Sequence, residues 1–262
     1  MPETNTMFQA NLFLGKTALV TGGGSGIGFA ISKQFLELGA SVIIASRNEE
    51  KLAKAAQELS QYGSVRYVVC DIRDAAQVDA LVSNILANEK QLDILVNNAG
   101  GQFPSAAENI SPKGFAAVVN NNLNGTWNLI HAAANSFFIP QNSGIILNII
   151  ANVYRGFPGM AHTGAARAGV ANLTMSLAVE WSKYNITINA VAPGFIQSSG
   201  MEQYPEDFKR GMEDTVPAKR LGTVEEVALL TIFLCTEQMK YITGETIYID
   251  GGQRLWGDLF KL

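Results

Sequence analysis

The stretch that decides the fold is Thr21-Gly22-Gly23-Gly24-Ser25-Gly26-Ile27-Gly28. It follows the apolar run Thr17–Val20 and opens an amphipathic segment from Ile27 to Leu38. Glycine permits positive φ angles and the close approach of a ligand to the backbone. A helix N-terminus offers free N–H groups to an anion. A strand, a glycine turn and a helix in this order predict a phosphate-binding turn.

The spacing of these glycines is unusual for such a turn. The common dinucleotide fingerprint is G-x-G-x-x-G, whereas this chain has Gly22-x-x-x-Gly26-x-Gly28. Taken alone, the stretch leaves open a glycine-rich turn that binds nothing. Motifs elsewhere in the chain distinguish a phosphate-binding turn from a turn without a ligand.

Apolar, β-rich runs alternate with helix-period segments along the whole chain. The predicted strands are Lys16–Thr21, Ser41–Ala45, Val65–Cys70, Leu92–Val96, Gly144–Ile150, Ile186–Val191 and Thr246–Asp250. The predicted helices are Gly26–Leu38, Asn48–Gln61, Asp74–Asn88, Ser111 to about Phe138, about Thr163 to Lys183, and Thr223–Cys235. Val/Ile/Leu strands without polar alternation are buried on both faces, as in a parallel sheet. We therefore predict an α/β fold: a single doubly wound, Rossmann-like domain over residues 1–262, with a seven-stranded parallel sheet and helices on both faces.

The composition and net charge of the chain bear on which kinds of molecule it binds. The chain has 262 residues, 47% of them hydrophobic, and a formal net charge of −4. No apolar run approaches the ~18 residues that cross a membrane. We expect no nucleic-acid partner, no membrane partner and no metal site.

Two further features bear on location. Cys70 and Cys235 lie in apolar runs and are predicted to be buried free thiols, which fits a reducing compartment. Residues 1–14 form an N-terminal extension whose start lacks basic residues, unlike a secretory signal. We expect a cytoplasmic protein. The ending Phe260-Lys261-Leu262 is a weak variant of a peroxisomal signal, which leaves that compartment open.

The longest interruption of the pattern is Phe195–Gly222, which follows Pro193-Gly194 at the end of the sixth strand. A long insertion at this edge predicts a substrate lid over residues 195–222, with a plain surface loop as the alternative. The insertion carries four cationic side chains, which either bind phosphate groups or form a solvent-exposed face. They are Lys209, Arg210, Lys219 and Arg220.

The end of the second strand indicates which dinucleotide is bound. A dinucleotide site places an acid about 20 residues after the glycines to bond the ribose 2′-hydroxyl. This chain has Ser46-Arg47 there, and a hydroxyl with a guanidinium suits a 2′-phosphate. We therefore predict NADP(H) rather than NAD(H). Asp71 is predicted to bond the adenine amino group, with an acid at a helix start as the alternative. Asn97–Gly100 would let the cofactor lie across the sheet edge, with a plain turn as the alternative.

Several motifs together resemble the short-chain dehydrogenase/reductase family. They are Thr21–Gly28, Asn97–Gly100, Asn122 before Leu123, and Pro193-Gly194, and the resemblance covers about Lys16 to Gly252. It implies a Rossmann-like domain with seven parallel strands, and it explains the glycine spacing as the family's own variant. The cofactor residues predicted in this way are Gly22, Gly24, Ser25, Gly26, Ile27, Gly28, Ser46, Arg47, Asp71, Ile72, Asn98, Ala99, Gly100, Arg167, Pro193, Gly194 and Ile196.

The sequence departs from that family at its catalytic residues. The family has a serine, a tyrosine 13 residues later and a lysine four further on. This chain has Ile150, Thr163 and Arg167 at those positions, and only the family's asparagine remains, as Asn122. A tyrosine acts as the acid because a neighbouring lysine lowers its pKa. Threonine has a far higher pKa and arginine keeps its proton, so we do not assign the usual interconversion of carbonyl and alcohol.

One branch of the family, the peroxisomal trans-2-enoyl-CoA reductases, shares this departure. It is similar to this chain in His162–Val170, Gly100–Phe103, Gly156–Pro158 and Pro217–Arg220. The related 2,4-dienoyl-CoA reductases lack the tyrosine but keep the lysine. The resemblance implies an acyl-CoA substrate in fatty-acid metabolism, a 2-enoyl or 2,4-dienoyl thioester whose conjugated C=C bond is reduced with NADPH.

That chemistry needs donors for the thioester oxygen and a proton for the α-carbon. The candidate donors are Thr163 and Tyr154, while Arg167 would hold the nicotinamide ribose and supply a fixed positive charge. The alternatives are a helix cap for Thr163, a loop aromatic for Tyr154, and a water site or helix kink for Asn122. Two other functions stay open: reduction of a different activated alkene or carbonyl, and nucleotide binding without catalysis.

The resemblance also implies a homotetramer or homodimer. The helices predicted from Ser111 and from Thr163 carry apolar residues on more than one face, which exceeds what one buried side requires. On the second helix these residues are Ala165, Ala166, Val170, Leu173, Leu177, Val179 and Trp181.

Overall fold

The computed structural model describes residues 7–198, 200–201 and 211–255. Its strands are β1 Thr17–Thr21, β2 Ser41–Ser46, β3 Val65–Val69, β4 Ile94–Asn97, β5 Gly144–Ile149, β6 Ile186–Pro193, β7 Ile196–Gln197, β8 Gly222–Thr223 and β9 Thr246–Ile249. Its α-helices are α1 Gly26–Glu37, α2 Glu49–Leu59, α3 Ala75–Asn88, α4 Pro112–Val119, α5 Gly125–Ala133, α6 Ile139–Gln141, α7 Ala161–Trp181 and α8 Val224–Leu234. Short 3₁₀ helices are found at Ala107–Asn109, Ser182–Tyr184, Glu213–Thr215, Glu237–Met239 and Gln253–Leu255.

The main sheet confirms the predicted doubly wound architecture. Seven parallel strands lie in the order β3-β2-β1-β4-β5-β6-β9, so the strand order reverses between β1 and β4. One apolar cluster packs α1, α2 and α8 on one face of the sheet, with Phe35 buried in it. A second cluster packs α3, α5 and α7 on the other face around Phe137 and Phe138. Because both faces are covered, ligands have access only at the strand ends.

Hydrogen bonds from one threonine join the carboxyl ends of β1 and β4. The Thr21 hydroxyl accepts the main-chain N–H groups of Asn98 and Ala99, both at 3.0 Å, and donates to the Val96 carbonyl at 3.4 Å. The Asn98 side-chain amide donates in turn to the Thr21 carbonyl at 2.9 Å. The glycine turn after β1 and the loop after β4 are thereby fixed relative to each other.

The helix predicted from Ser111 to Phe138 is present, but it is not one regular α-helix. Ser111 caps it as predicted, since its hydroxyl accepts the Gly114 N–H at 3.0 Å. Two π-helical segments, Asn120–Asn124 and Ala134–Phe138, interrupt it. At the first, the Asn122 side chain donates to the carbonyl of Val118, four residues back, at 2.9 Å. A side chain that takes a carbonyl from the regular ladder widens the turn.

The second long helix begins earlier than predicted. α7 starts at Ala161, so Thr163 lies inside its first turn, and the helix-cap alternative for Thr163 is wrong. The His162 Nδ1 atom accepts the Thr163 N–H at 2.9 Å and satisfies a donor that a cap would otherwise take. The helix ends at Trp181, and residues 182–184 continue it as a 3₁₀ turn, where the sequence predicted an α-helix to Lys183.

The two ends of the 195–222 insertion are paired with each other. β7 and β8 form a small parallel ladder in which Ile196 lies opposite Gly222. Arg220 forms an ion pair with Glu226 of α8, with Nη2 2.6 Å from Oε1, so this cation is held at the start of a helix. Lys209 and Arg210 lie outside the described residues, and the substrate lid stays a prediction.

Three further predictions concern the cysteines, membrane-spanning segments and the C-terminal signal. Cys70 and Cys235 are buried free thiols, as predicted. Within the ranges that the structure describes, no helix is long and apolar enough to cross a membrane. The C-terminal residues Phe260–Leu262 lie outside those ranges.

We expect Thr21→Val to lower the free energy of unfolding by about 1–3 kcal/mol, because two main-chain N–H groups lose their acceptor. The measurement is urea denaturation at 25 °C. Thr17→Val is the matched control, since Thr17 is buried in the same strand and its hydroxyl bonds no described residue. The control should lose less than about 1 kcal/mol, and equal losses in both variants would contradict the role given to Thr21.

Candidate cofactor and substrate site

A groove of about 290 Å³ lies at the carboxyl ends of β1, β2 and β4. It brings together most of the residues predicted to bind the cofactor. Those on its wall are Gly22, Ser25, Gly26, Ile27, Ser46, Arg47, Asp71, Ile72, Asn98, Ala99 and Gly100. The groove lies where the strand order reverses, the place where doubly wound sheets bind ligands.

The glycine turn has the shape that a phosphate site needs. Gly22 and Gly26 have φ angles of +67° and +55°, in the left-handed region that glycine tolerates best. A Cβ atom on Gly28 would lie 2.4 Å from the Gly22 carbonyl oxygen, so the turn closes tightly on α1. The backbone is thus exposed to a ligand where side chains would block it, and the turn fits a dinucleotide pyrophosphate.

Two predicted cofactor residues of the glycine turn do not lie on the groove wall. Gly28 packs beneath the turn, and Gly24 lies beside α2, where an added Cβ would be 3.6 Å from the Lys51 carbonyl oxygen. Both glycines therefore shape the turn and do not face the groove.

The far end of the groove carries Ser46, Arg47 and Asp71. The Arg47 side chain is exposed, and no hydrogen bond or ion pair within the described ranges holds it. Asp71 is engaged by Arg73, whose Nε donates to Oδ1 at 2.9 Å. This bond lowers the pKa of Asp71, and the charge of Arg47 acts in the same direction. The end predicted to hold the adenosine thus presents one guanidinium that is not already paired.

A second cavity, of about 480 Å³, continues from the groove. Ile27, Asn98, Ser198 and Gly200 line both spaces. The predicted cofactor residues Pro193, Gly194, Ile196 and Arg167 lie on this second wall. Much of the remaining wall is apolar and consists of Ile149, Ile150, Ala151, Phe157, Pro158, Met160, Phe195, Met201 and Met212. This composition suits an apolar ligand.

Arg167 lies where the two spaces meet. Its side chain is 7% exposed, and its Nη1 donates to the Ile149 carbonyl at 2.9 Å. A Cβ on Gly100 would lie 2.1 Å from Nη2, so the guanidinium packs directly on the Gly100 backbone. Its Nε is buried without a partner. Burial lowers the pKa of Arg167 to about 10, so the group is still a cation at neutral pH.

Asn122 is buried and lines neither space. Its amide donates to the Gly101 carbonyl at 2.7 Å, and its Oδ1 accepts the Gly101 N–H at 3.3 Å. These bonds attach the π-helical turn to the loop after β4, next to the Gly100 surface on which Arg167 packs. Its contacts are those of a positioning residue in an irregular helix.

The other two candidate catalytic residues do not reach the cavity. Thr163 is fully buried, with Oγ1 3.4 Å from His162 Nδ1, and Tyr154 is 63% exposed with its ring against Tyr248. Neither lines the groove or the cavity. Of the four candidates, the structure brings only Arg167 to the wall. The roles of Thr163 and Tyr154 as donors stay predictions.

Two arginines on the cavity wall were missed by the sequence reasoning. Arg155 follows β5 and Arg254 follows β9. The sequence did contain a signal for them, because each arginine follows the end of a predicted strand. The carboxyl ends of parallel strands share one edge of the sheet, so residues after these ends lie close together. The resemblance ended at Gly252, just before Arg254.

Comparison with known proteins places the chain among reductases. A family model described as enoyl-(acyl carrier protein) reductase matches residues 22–254. A probable 2,4-dienoyl-CoA reductase from Bacillus subtilis is 39% identical over 246 residues, which are 92% of this chain and 97% of that protein. A 3-oxoacyl-(acyl-carrier-protein) reductase, FabG, from Chlamydia muridarum is 38% identical over 92% of this chain and 98% of its own length.

A solved structure shares both fold and sequence with the chain. It is a citronellol catabolism dehydrogenase (AtuB) from Pseudomonas aeruginosa, 41% identical with a TM-score of 0.86. The match covers 95% of this chain and 99% of that one. The fold and the length of the relatives are therefore shared almost completely.

Proposed function

The chain belongs to the short-chain dehydrogenase/reductase family of oxidoreductases, and on that basis we propose that it reduces the conjugated C=C bond of a 2-enoyl-CoA or 2,4-dienoyl-CoA thioester with NADPH. One observation carries the proposal. A buried arginine, Arg167, lies at the junction of the groove and the cavity, where the family has a lysine that serves a tyrosine.

Reduction of a ketone fits this site less well, although some relatives are named 3-oxoacyl reductases. No tyrosine is present among the described residues that line the groove or the cavity. The position of the family's serine is Ile150, an apolar part of the wall. A carbonyl oxygen reduced here would lack the acid that must protonate it.

Reduction of an enoyl thioester makes a different demand on the protein. Bound NADPH would supply a hydride to the β-carbon, and the electron pair of the C=C bond would place negative charge on the thioester oxygen until a proton reaches the α-carbon. Arg167 offers a fixed positive charge and guanidinium N–H donors on the cavity wall. Such preorganised donors in a site with little water stabilise a developing oxyanion strongly. Ile149, Ile150 and Phe157 form an apolar part of the wall beside it.

The groove residues would hold the cofactor. The turn at Gly22 and Gly26 would receive the pyrophosphate, and Pro193 and Gly194 lie where the nicotinamide half would pass into the cavity. The exposed guanidinium of Arg47 supports NADPH over NADH because it matches a 2′-phosphate.

The activity test is NADPH oxidation with trans-2-enoyl-CoA and 2,4-dienoyl-CoA thioesters of several chain lengths. We expect Arg167→Gln to lower kcat by about 10²–10³-fold, the loss seen when one oxyanion donor is removed, and Arg167→Lys to lose less. Tyr154→Phe and Thr163→Val test the two predicted proton donors in the same assay.

Three outcomes would contradict the proposal. Absence of turnover with every enoyl and dienoyl thioester rejects it. Efficient reduction of acetoacetyl-CoA instead would favour carbonyl chemistry. Tight NADPH binding without any turnover would favour a nucleotide-binding protein that is not an enzyme.

We expect Arg47→Gln to raise KM for NADPH about tenfold or more and to leave KM for NADH nearly unchanged, because only the 2′-phosphate loses a charge-assisted hydrogen bond. Lys54→Gln is the control, since it removes the same charge from an exposed position in α2 that is not on the groove wall. A wild-type preference for NADH, or equal effects on both cofactors, would reject NADPH as the cofactor.

We also propose that the protein works as a homotetramer or homodimer. Four large apolar side chains are exposed on α4, α5 and α7, namely Phe115, Trp127, Met175 and Val179. Exposed apolar residues concentrated on neighbouring helices favour association. Light scattering at micromolar concentration should report a multimer, and a monomer there would contradict this expectation.

A further inference from the structure

The charges on the wall of the second cavity are all of one sign. Three arginines line it, Arg155, Arg167 and Arg254, and the described part of its wall contains no aspartate or glutamate. Arg167 lies at the junction with the groove, where the reacting carbons are proposed to bind. Arg254 has no part in that chemistry, so its charge calls for a separate explanation.

The main chain beneath Arg254 is held rigidly by one carboxylate. Asp250, directly after β9, accepts the Arg254 N–H at 2.8 Å and the Gly252 N–H at 3.0 Å. It also accepts the Asn152 side-chain amide at 3.0 Å, which ties this turn to the loop after β5. The nearby acid is therefore occupied by these amides.

The side chain of Arg254 is oriented by aromatic rings. Its Cζ lies 4.7 Å from the centre of the Tyr248 ring and 5.8 Å from that of Tyr154. Stacking of this kind holds the guanidinium plane but uses none of its N–H donors. Its Nε is buried without a hydrogen-bond partner, and no described acid forms an ion pair with it. The guanidinium is thus held on the cavity wall, and its Nη donors form no hydrogen bond with the described residues.

Arg155 stands beside the same turn. Its Nη2 donates to the Leu255 carbonyl at 3.3 Å, and the residue lines the same cavity. Two cations are therefore attached to one short segment after β9, on the wall of a largely apolar space.

We propose that Arg254, with Arg155 beside it, forms an anion-binding subsite that receives a carboxylate or phosphate group of the substrate. The planar guanidinium fork matches the paired oxygens of either group. The inference rests on the proposed function, because it assigns a second contact to the same thioester. The anion has two possible sources: the phosphates of coenzyme A, or a carboxylate at the far end of the acyl chain.

Calorimetric titration in saturating NADP⁺ separates these sources with three unreactive thioesters. Hexanoyl-CoA carries phosphates, hexanoyl-pantetheine carries no anion, and adipoyl-pantetheine carries only a terminal carboxylate. The wild-type protein should bind one of the two anionic probes at least about tenfold more tightly than hexanoyl-pantetheine. Arg254→Gln should abolish that ratio and leave the affinity for hexanoyl-pantetheine unchanged.

Two further variants complete the design. Arg254→Lys keeps the charge without the planar fork and should retain part of the ratio. Lys183→Gln removes another cation that lies over a tyrosine ring, 5.1 Å from the centre of Tyr184, and this residue does not line the cavity. It should bind all three probes like the wild type. Thermal unfolding of each variant confirms that it is folded.

The outcomes separate this inference from the proposed function. A ratio that persists in Arg254→Gln, or equal affinity of the wild type for all three probes, overturns the subsite alone. A loss of affinity for hexanoyl-pantetheine as large as that for the anionic probe also overturns it, since Arg254 would then shape the cavity. If the wild type binds no thioester at all, the subsite and the proposed function both fail.

Discussion

The site depends first on the hydrogen bonds that Thr21 makes between β1 and β4. These strands are neighbours in the sheet, and their ends face the point where the strand order reverses. The Thr21 hydroxyl binds the main chain of Asn98 and Ala99, so the glycine turn and the β4 loop act as one wall. The junction with the cavity is built on that wall, because Arg167 packs on Gly100, the next residue in the loop.

Two irregular features keep this junction in place. The π-helical turn at Asn122 holds Gly101 through a side-chain amide, and Gly100 lacks the Cβ that would displace the Arg167 guanidinium. Burying a cation with a single carbonyl bond and an unpartnered Nε costs free energy, and this cost favours a functional role for Arg167. A lysine would carry its charge on a single nitrogen, whereas arginine spreads it over a fork that the Gly100 surface orients.

How much of the fold and the site the sequence predicts depends on how far apart in the chain the interacting residues lie. The seven strands were predicted because burial on both faces leaves continuous Val/Ile/Leu runs, and the groove was predicted because Gly22–Gly28 and Ser46-Arg47 are local signals. The π-helical turn was not predicted, because it depends on a hydrogen bond between Asn122 and Gly101, which lie 21 residues apart in the chain. The placement of Tyr154 and Thr163 away from the wall depends on packing that spacing does not reveal. Arg155 and Leu255 are 100 residues apart and meet only because β5, β6 and β9 share an edge.

The small β7–β8 ladder has a consequence for how this protein family diversifies. Because Ile196 and Gly222 pair directly, the two described ends of the insertion are held together next to β6 and α8. We expect a change of length between these paired ends to leave β6 and α8 in place. On that expectation, variation in this segment would alter the cavity and spare the groove at the ends of β1, β2 and β4. Shared ancestry across this fold can on this account accompany very different substrates.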